Sequence, residues 1–192
     1  MSSQAKIPIA YYTQPDKRRL DTQAKLFAAL KTMYAASTPI ADISVTALCR
    51  AAGISRQAFY RHYHQIDEVI VNNTILVANQ FLLNVDQTLD ANRKAATIMV
   101  DLILGNRTSF AMIFWGHVEE QVIQLITSDM RRVNNFQTKT SPTEAIRLEL
   151  FARAIISFAQ VMIHHPEIDR GQLIELYKQT VPAPQTIFET KS

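Results

Sequence analysis

Apolar side chains recur at helical spacing along most of the 192-residue chain. Leu26, Leu30 and Met33 fall at i, i+4 and i+7, and Phe27 and Tyr34 widen the stripe. That pattern predicts a core-facing helix over 21–36. A loop around Pro39 follows, with Ile40 and Ile43 closing the bottom of the core. Further on, Ile66, Ile70, Val77, Phe81, Val85 and Leu89 make one face of a helix over 66–89, and Val69, Leu76 and Leu83 make a second. A helix apolar on two sides is packed on both, as a connector would be. Helices are then expected over 92–104, ended by Gly105, over 107–114, ended near Gly116, and over 119–134. In the last of these Val122, Ile123, Ile126, Met130 and Val133 point inward. A polar loop over 136–142 leads to a long helix over 143–165, with Leu148, Phe151, Ile155, Phe158 and Met162 on one stripe, stopped by Pro166. A final amphipathic helix over 169–179 carries Leu173, Ile174, Leu176 and Tyr177. Residues 1–16 read as an arm with little regular structure, and 181–192 as a loose tail. With only 4 Gly and long helix-compatible stretches, the expected fold class is all-α.

The segment 43–69 departs from this run of long helices. Ser44 can cap a short helix over 45–52, Gly53 breaks it, and Ser55 can cap a second that runs to about Tyr63. Leu48, Ala51, Ile54, Phe59 and Tyr63 are expected inside the corner, leaving Thr46, Arg56, Gln57, Ala58, Arg61 and His62 outside. Two short helices joined by a few residues around a Gly form the helix-turn-helix unit, whose second helix enters a DNA major groove. Arg56 and Gln57, in the first turn of that helix, are placed for base edges: Arg pairs with guanine and Gln with adenine. Ala58 can meet a thymine methyl, and Thr46 a base or a phosphate. Tyr60, Arg61 and His62 suit phosphates, which set register rather than read sequence. Ser55 belongs to the same surface as the cap of the reading helix.

Ala52-Gly53-Ile54-Ser55, Ala58-Phe59-Tyr60-Arg61-His62-Tyr63 and Asp67-Glu68-Val69 together resemble the DNA-binding signature of the TetR family of bacterial transcriptional regulators. The resemblance extends upstream to the helix containing Leu26, Leu30 and Met33, and so covers about the first third of the chain. One position departs from the pattern: the Lys that usually precedes the acidic pair is Ile66 here, and no phosphate contact is assigned to it. The resemblance implies a second, helical domain for dimerisation and for binding a small effector. It also implies a dimer face built from the last two helices.

Charge divides along the chain as this reading requires. Residues 1–63 hold nine Lys/Arg and three acids, a balance of +6, and the remainder of the 20 basic and 17 acidic residues balances at −3. A basic first third fits a polyanion at that end only. Lys17-Arg18-Arg19, just ahead of the first helix, read either as a solvated charge run or as a phosphate or minor-groove contact. One cysteine, Cys49, excludes an intrachain disulfide; it is a half-buried small hydrophobe or, less simply, a redox sensor. The N-terminus lacks the apolar run of a signal peptide, and the most apolar stretch, 151–163, is interrupted by Arg153 and Gln160. No membrane association is expected, and the chain reads as cytoplasmic.

Phe110, Met112, Phe114 and Trp115 form an aromatic and Met-rich patch. Periodicity alone favours core packing; the resemblance allows a ligand cavity lined by Phe81, Met99, Phe110, Phe114, Trp115, Phe151, Phe158 and Met162. His164-His165 are adjacent and share no helix face, and His117 with Glu119 and Glu120 lacks an i, i+4 pair of ligand types, so no metal and no cofactor is expected. A Gly-rich phosphate loop, a nucleophile elbow and a metal-ligand quartet are all missing, which argues against an enzyme.

The expected organisation is an arm (1–16), a helix-turn-helix domain (17–65), a helical dimerisation and effector domain (66–180) and a tail. The expected function is a transcriptional repressor that binds a near-palindromic operator in double-stranded DNA as a homodimer and is released by a small-molecule inducer. The alternative is a TetR-like DNA-bound protein controlled by a protein partner.

Overall fold

Helical periodicity along the chain is matched by helices throughout the computed structural model, which describes residues 17–86, 91–135 and 141–181, the side chains of 79–94 and 132–140 excepted. In chain order these are α1 (Lys17–Ala35), a 3-10 turn (Ile40–Asp42), α2 (Val45–Ala52), α3 (Arg56–Tyr60), α4 (Asp67–Asp86), α5 (Ala91–Gly105), α6 (Arg107–Trp115), α7 (Glu119–Asn135), α8 (Pro142–His164) and α9 (Arg170–Thr180). The described residues are all-α. The arm over 1–16, the tail over 182–192 and the side chains of Phe81, Leu83, Val85, Leu89 and Val133 lie outside them.

α1 starts four residues earlier than its pattern predicts. Lys17, Arg18 and Arg19 are exposed residues of its first turn rather than a run ahead of it. Cations at a helix N-terminus oppose the macrodipole, which is why Asp21 is the better start by local rules. Leu26, Phe27 and Leu30 are buried as expected, and Gln23 is buried beside them. The helix closes through Ser37, in the left-handed region at φ 56°. Its N–H donates to the Tyr34 carbonyl at 2.9 Å, and the Thr38 N–H donates to Met33 at 3.1 Å.

α4 packs on α1, α5, α6 and α7, so it touches both the first helices and the later ones. Its first turn carries Asp67 and Glu68, and Val69 and Ile70 are fully buried. α8 begins at Pro142, one residue inside the expected loop. Ser141 and Glu144 form a reciprocal capping box, and Pro sits where its missing N–H costs nothing. Leu148, Phe151, Ile155, Phe158 and Met162 are buried along α8, while Ile146, Leu150 and Val161 remain exposed. α9 packs on α5 and α8 behind a second capping box, from Asp169 and Gln172. Leu176 is exposed, and Val181, expected in a loose tail, is buried with its N–H donated to Tyr177 at 2.9 Å.

One continuous apolar core runs from Leu26 to Val181. Ion pairs clamp its outside. Arg153 of α8 reaches both Glu120 of α7 and Glu149, each at 2.9 Å, and Arg170 of α9 holds Asp101 of α5 at 2.6 Å. No single helix among the described residues is long and apolar enough to cross a membrane.

Candidate nucleic-acid interface

The corner between α2 and α3 is built by two serines and a glycine. Ser44 Oγ accepts the Ala47 N–H at 3.1 Å, and Ser55 Oγ accepts the Ala58 N–H at 3.1 Å. Each satisfies one orphan donor of a first helical turn. Gly53 lies at φ 65° and ψ 34°, and Ile54 N–H donates back to the Cys49 carbonyl at 3.0 Å. The left-handed glycine reverses the chain, so α3 leaves in a new direction.

α3 is shorter than expected. It ends at Tyr60, and Arg61 and His62 form a turn in which the Phe59 carbonyl accepts from both His62 and Tyr63. The turn brings Tyr63 inward: it is 1% exposed, and its hydroxyl donates to Gln23 Oε1, so a helix continued through Tyr63 gives way to this buried pair. Leu48 and Phe59 are fully buried and Ile54 packs on the core, but Ala51 faces solvent, a correction to the expected interior. Cys49 is buried rather than half-buried. Burial pushes its thiol up, with the Arg56 charge opposing, so the thiol stays protonated as a small hydrophobe.

On the outside, Thr46, Ser55, Arg56, Gln57, Tyr60 and Arg61 are exposed, and Ala58 and His62 are half-buried. The Arg56 guanidinium lies 5.8 Å from the centre of the Tyr60 ring. That ring rests edge-on against buried Phe59 at 5.3 Å. A half-exposed ring anchored on the core thus supports the cation beside it. Lys17, Arg18 and Arg19 add their charge from α1, and Arg19 acts on the Tyr63 hydroxyl. Burial raises the pKa of that phenol; Arg19 opposes the rise and Glu68 adds to it. Beyond the corner, Glu68 accepts the His64 N–H at 2.9 Å, and Gln121 of α7 donates to Asp67 at 3.3 Å.

The residues expected to line a cavity divide between two places. Met99, Phe110, Phe151, Phe158 and Met162 are buried, and Phe114 is half-buried against the same core. Phe158 meets Tyr177 edge-on at 5.1 Å. Trp115 turns toward α1 instead, meeting the Tyr34 ring at 5.6 Å and donating its indole N–H to the Thr38 carbonyl at 3.1 Å. The Phe81 side chain lies outside the described residues. Among the described residues three buried polar side chains escape the sequence pattern, one of them Thr74, whose hydroxyl donates to the Ile70 carbonyl at 3.1 Å. Gln23 is engaged at both ends of its amide, donating to the Val69 carbonyl at 2.9 Å and accepting from Tyr63. The Thr127 hydroxyl on α7 is buried, and among the described residues it has no hydrogen-bond partner. His165 pairs with Glu167 at 2.9 Å, and among the described residues no three His, Cys, Asp or Glu side chains gather as a metal ion would need.

No protein-family model matches the chain, and no curated protein matches it. Among solved structures, the crystal structure of Lin0861 from Listeria innocua is similar. It superposes with a TM-score of 0.80 at 27% identity, over 86% of this chain and 92% of that one. Nearly the whole of each chain therefore follows one common path.

Proposed function

We propose that this chain is a sequence-specific DNA-binding transcriptional regulator of the TetR type, with residues 17–65 as a helix-turn-helix domain and α3 as the reading helix. The observation that carries the reading is the capped corner at Gly53, which buries Leu48, Phe59 and Tyr63 while leaving Arg56, Gln57 and Arg61 in solvent. The basic first turn of α1 supports it. Three cations at the positive end of a helix are unfavourable alone and become favourable beside phosphates.

Residues 66–180 form the dimerisation and effector domain in this reading. Ile146, Leu150 and Val161 are 61%, 61% and 56% exposed along α8, and Leu176 of α9 adds to them. Such side chains on the last two helices suit a second copy of the chain. A dimer engages both halves of a near-palindromic operator, and the second contact gains from the first being made. An effector that prefers a dimer with mismatched reading-helix separation weakens binding by its differential affinity for that state. The regulator then acts as a cytoplasmic repressor released by a small molecule.

The test is to retain fragments of the source genome on the purified chain and measure their affinity over a range of salt concentrations. A dimer that selects a shared near-palindrome, with log affinity falling steeply against log salt, is expected. A monomer that retains no fragment even at low ionic strength removes the reading.

A further inference from the structure

The C-terminal end of α6 abuts the C-terminal end of α1. Trp115, the last residue of α6, donates its indole N–H to the Thr38 carbonyl at 3.1 Å and meets the Tyr34 ring edge-on. Gly116 follows in a space too tight for a side chain. A Cβ there would lie 2.5 Å from Ile70 Cδ1 of α4 and 3.6 Å from Ile40 Cδ1 of the 3-10 turn. Four segments thus converge on two consecutive residues. Both helix ends are closed by non-glycine residues in the left-handed region, Ser37 at φ 56° and His117 at φ 53°, and among the described residues no other non-glycine has a positive φ. The backbone strain of the described chain is therefore concentrated where these two helices meet, and strain of this kind persists where surrounding contacts over-determine the geometry.

We infer that Trp115 is a positioning residue that fixes the orientation of α1–α3 on the rest of the molecule, and through it the separation of the two reading helices. The second half of that statement rests on the DNA-binding dimer proposed above. The argument is one of attachment points. Gln23, near the start of α1, is pinned to the Val69 carbonyl of α4. Tyr34, near its end, seats the Trp115 ring eleven residues later, roughly 16 Å along the helix. A unit held by one directional bond can pivot about it. A directional hydrogen bond at a second, distant point removes the pivot. Losing the indole N–H leaves the interior of α1–α3 intact and frees its orientation, a change felt only where both half-sites must be met at once.

Trp115→Phe in the full-length chain keeps a ring against Tyr34 and deletes the N–H. Two readouts separate the two halves of the inference. The first is amide hydrogen exchange without DNA. Thr38 donates back to Met33 of α1, and Asp42 and Ile43 to carbonyls within the turn; their amides should exchange about tenfold faster in the variant, with those of Leu48 and Phe59 unchanged. The second is affinity for a single half-site and for operators whose half-site spacing is altered by one base pair either way. Half-site affinity should stay within about twofold of wild type, while the best-spaced operator loses about tenfold and the others lose less, so that spacing preference flattens. Tyr34→Leu, which removes the seat of the indole, should give the same pattern if the Phe variant folds poorly.

An unchanged spacing profile overturns the inference, as does an equal loss on half-site and operator, which would make Trp115 a stabilising residue only. If the wild type binds no genomic fragment, the DNA-binding reading falls by itself. Faster exchange at the turn then upholds the junction, and unchanged exchange removes it too.

Discussion

The phenolic hydroxyl of Tyr63 donates to the side-chain oxygen of Gln23, forty residues earlier, and both side chains are buried. The Gln23 amide donates in turn to Val69. One side chain therefore ties α1 to the end of the α2–α3 corner and to α4. Tyr63→Phe strands the Gln23 oxygen, and Gln23→Leu strands the Tyr63 hydroxyl. Each should destabilise by about 1–3 kcal/mol in urea unfolding, the cost of a buried polar group without its partner. The double variant should lose less than the sum, because the second change removes the group left stranded by the first. Additive losses would mean that the pair is not coupled.

That pair also marks where sequence reading stops. Gln23 sits three residues before Leu26 and seven before Leu30, so helical spacing alone puts it on the core stripe. Its polarity hides it, since no pattern of one segment reveals a partner forty residues away. The capped corner is legible because Ser44, Gly53 and Ser55 act on their own neighbours within a few residues. The end of α3 is not, because Tyr63 leaves the helix to meet Gln23. Trp115 groups with Phe110 and Phe114 as an aromatic patch in the sequence, yet its partner Thr38 lies in a distant turn. Local rules write the elements; the junctions between them need three dimensions.

On the outer face, Arg56 and Arg61 should behave differently. Arg56 is held beside Tyr60 in the first turn of α3, where a guanidinium can reach a guanine edge. Arg56→Ala should weaken operator binding by about 1–3 kcal/mol and relax preference at one base position. Arg61→Ala, and Lys17→Ala on α1, should weaken binding to all sequences alike and make the salt dependence shallower. Competition between operator and random duplex distinguishes the cases. An Arg56→Ala chain with unchanged affinity and preference would remove α3 as the reading helix.

Gly53 and Gly116 are needed for opposite reasons. Gly53 has a positive φ, and no atom lies within 4 Å of where a Cβ would stand, so Gly53→Ala costs only the conformational penalty, about 1–2 kcal/mol. Gly116 has an ordinary φ of −84° but would place a Cβ 3.0 Å from the Met112 carbonyl as well as against Ile70. Gly116→Ala should therefore cost about 1–3 kcal/mol through overpacking. Asn, which tolerates the left-handed region, should rescue position 53 in thermal unfolding and fail at position 116.

Thr127 offers a change in the other direction. Its hydroxyl is buried in α7 without a partner among the described residues, and Thr127 is 6% exposed. Thr127→Val replaces that hydroxyl by a methyl of similar size and removes a desolvation cost. Stability should rise by about 1 kcal/mol or slightly more. A variant less stable than wild type would show that the hydroxyl is hydrogen-bonded in solution.

Acid should loosen the join between α5 and α9. Arg170 donates two hydrogen bonds to Asp101, at 2.6 and 2.8 Å. These bonds hold the Asp101 carboxyl below its ordinary value; burial opposes them, and the guanidinium charge adds a lesser pull in the same direction as the bonds. The folded state thus binds the proton less readily than the unfolded chain does. The stabilisation is complete above the ordinary carboxylate range and is lost as pH falls through the depressed folded value. Both side chains are about half exposed, so solvent screening keeps the contribution small. Asp101→Asn should unfold at a lower temperature than wild type at pH 7, and the gap should narrow below about pH 4. The same gap should shrink in concentrated salt at neutral pH. A gap that is constant from pH 7 to strongly acidic conditions would assign the loss to packing of the side chain rather than to its charge.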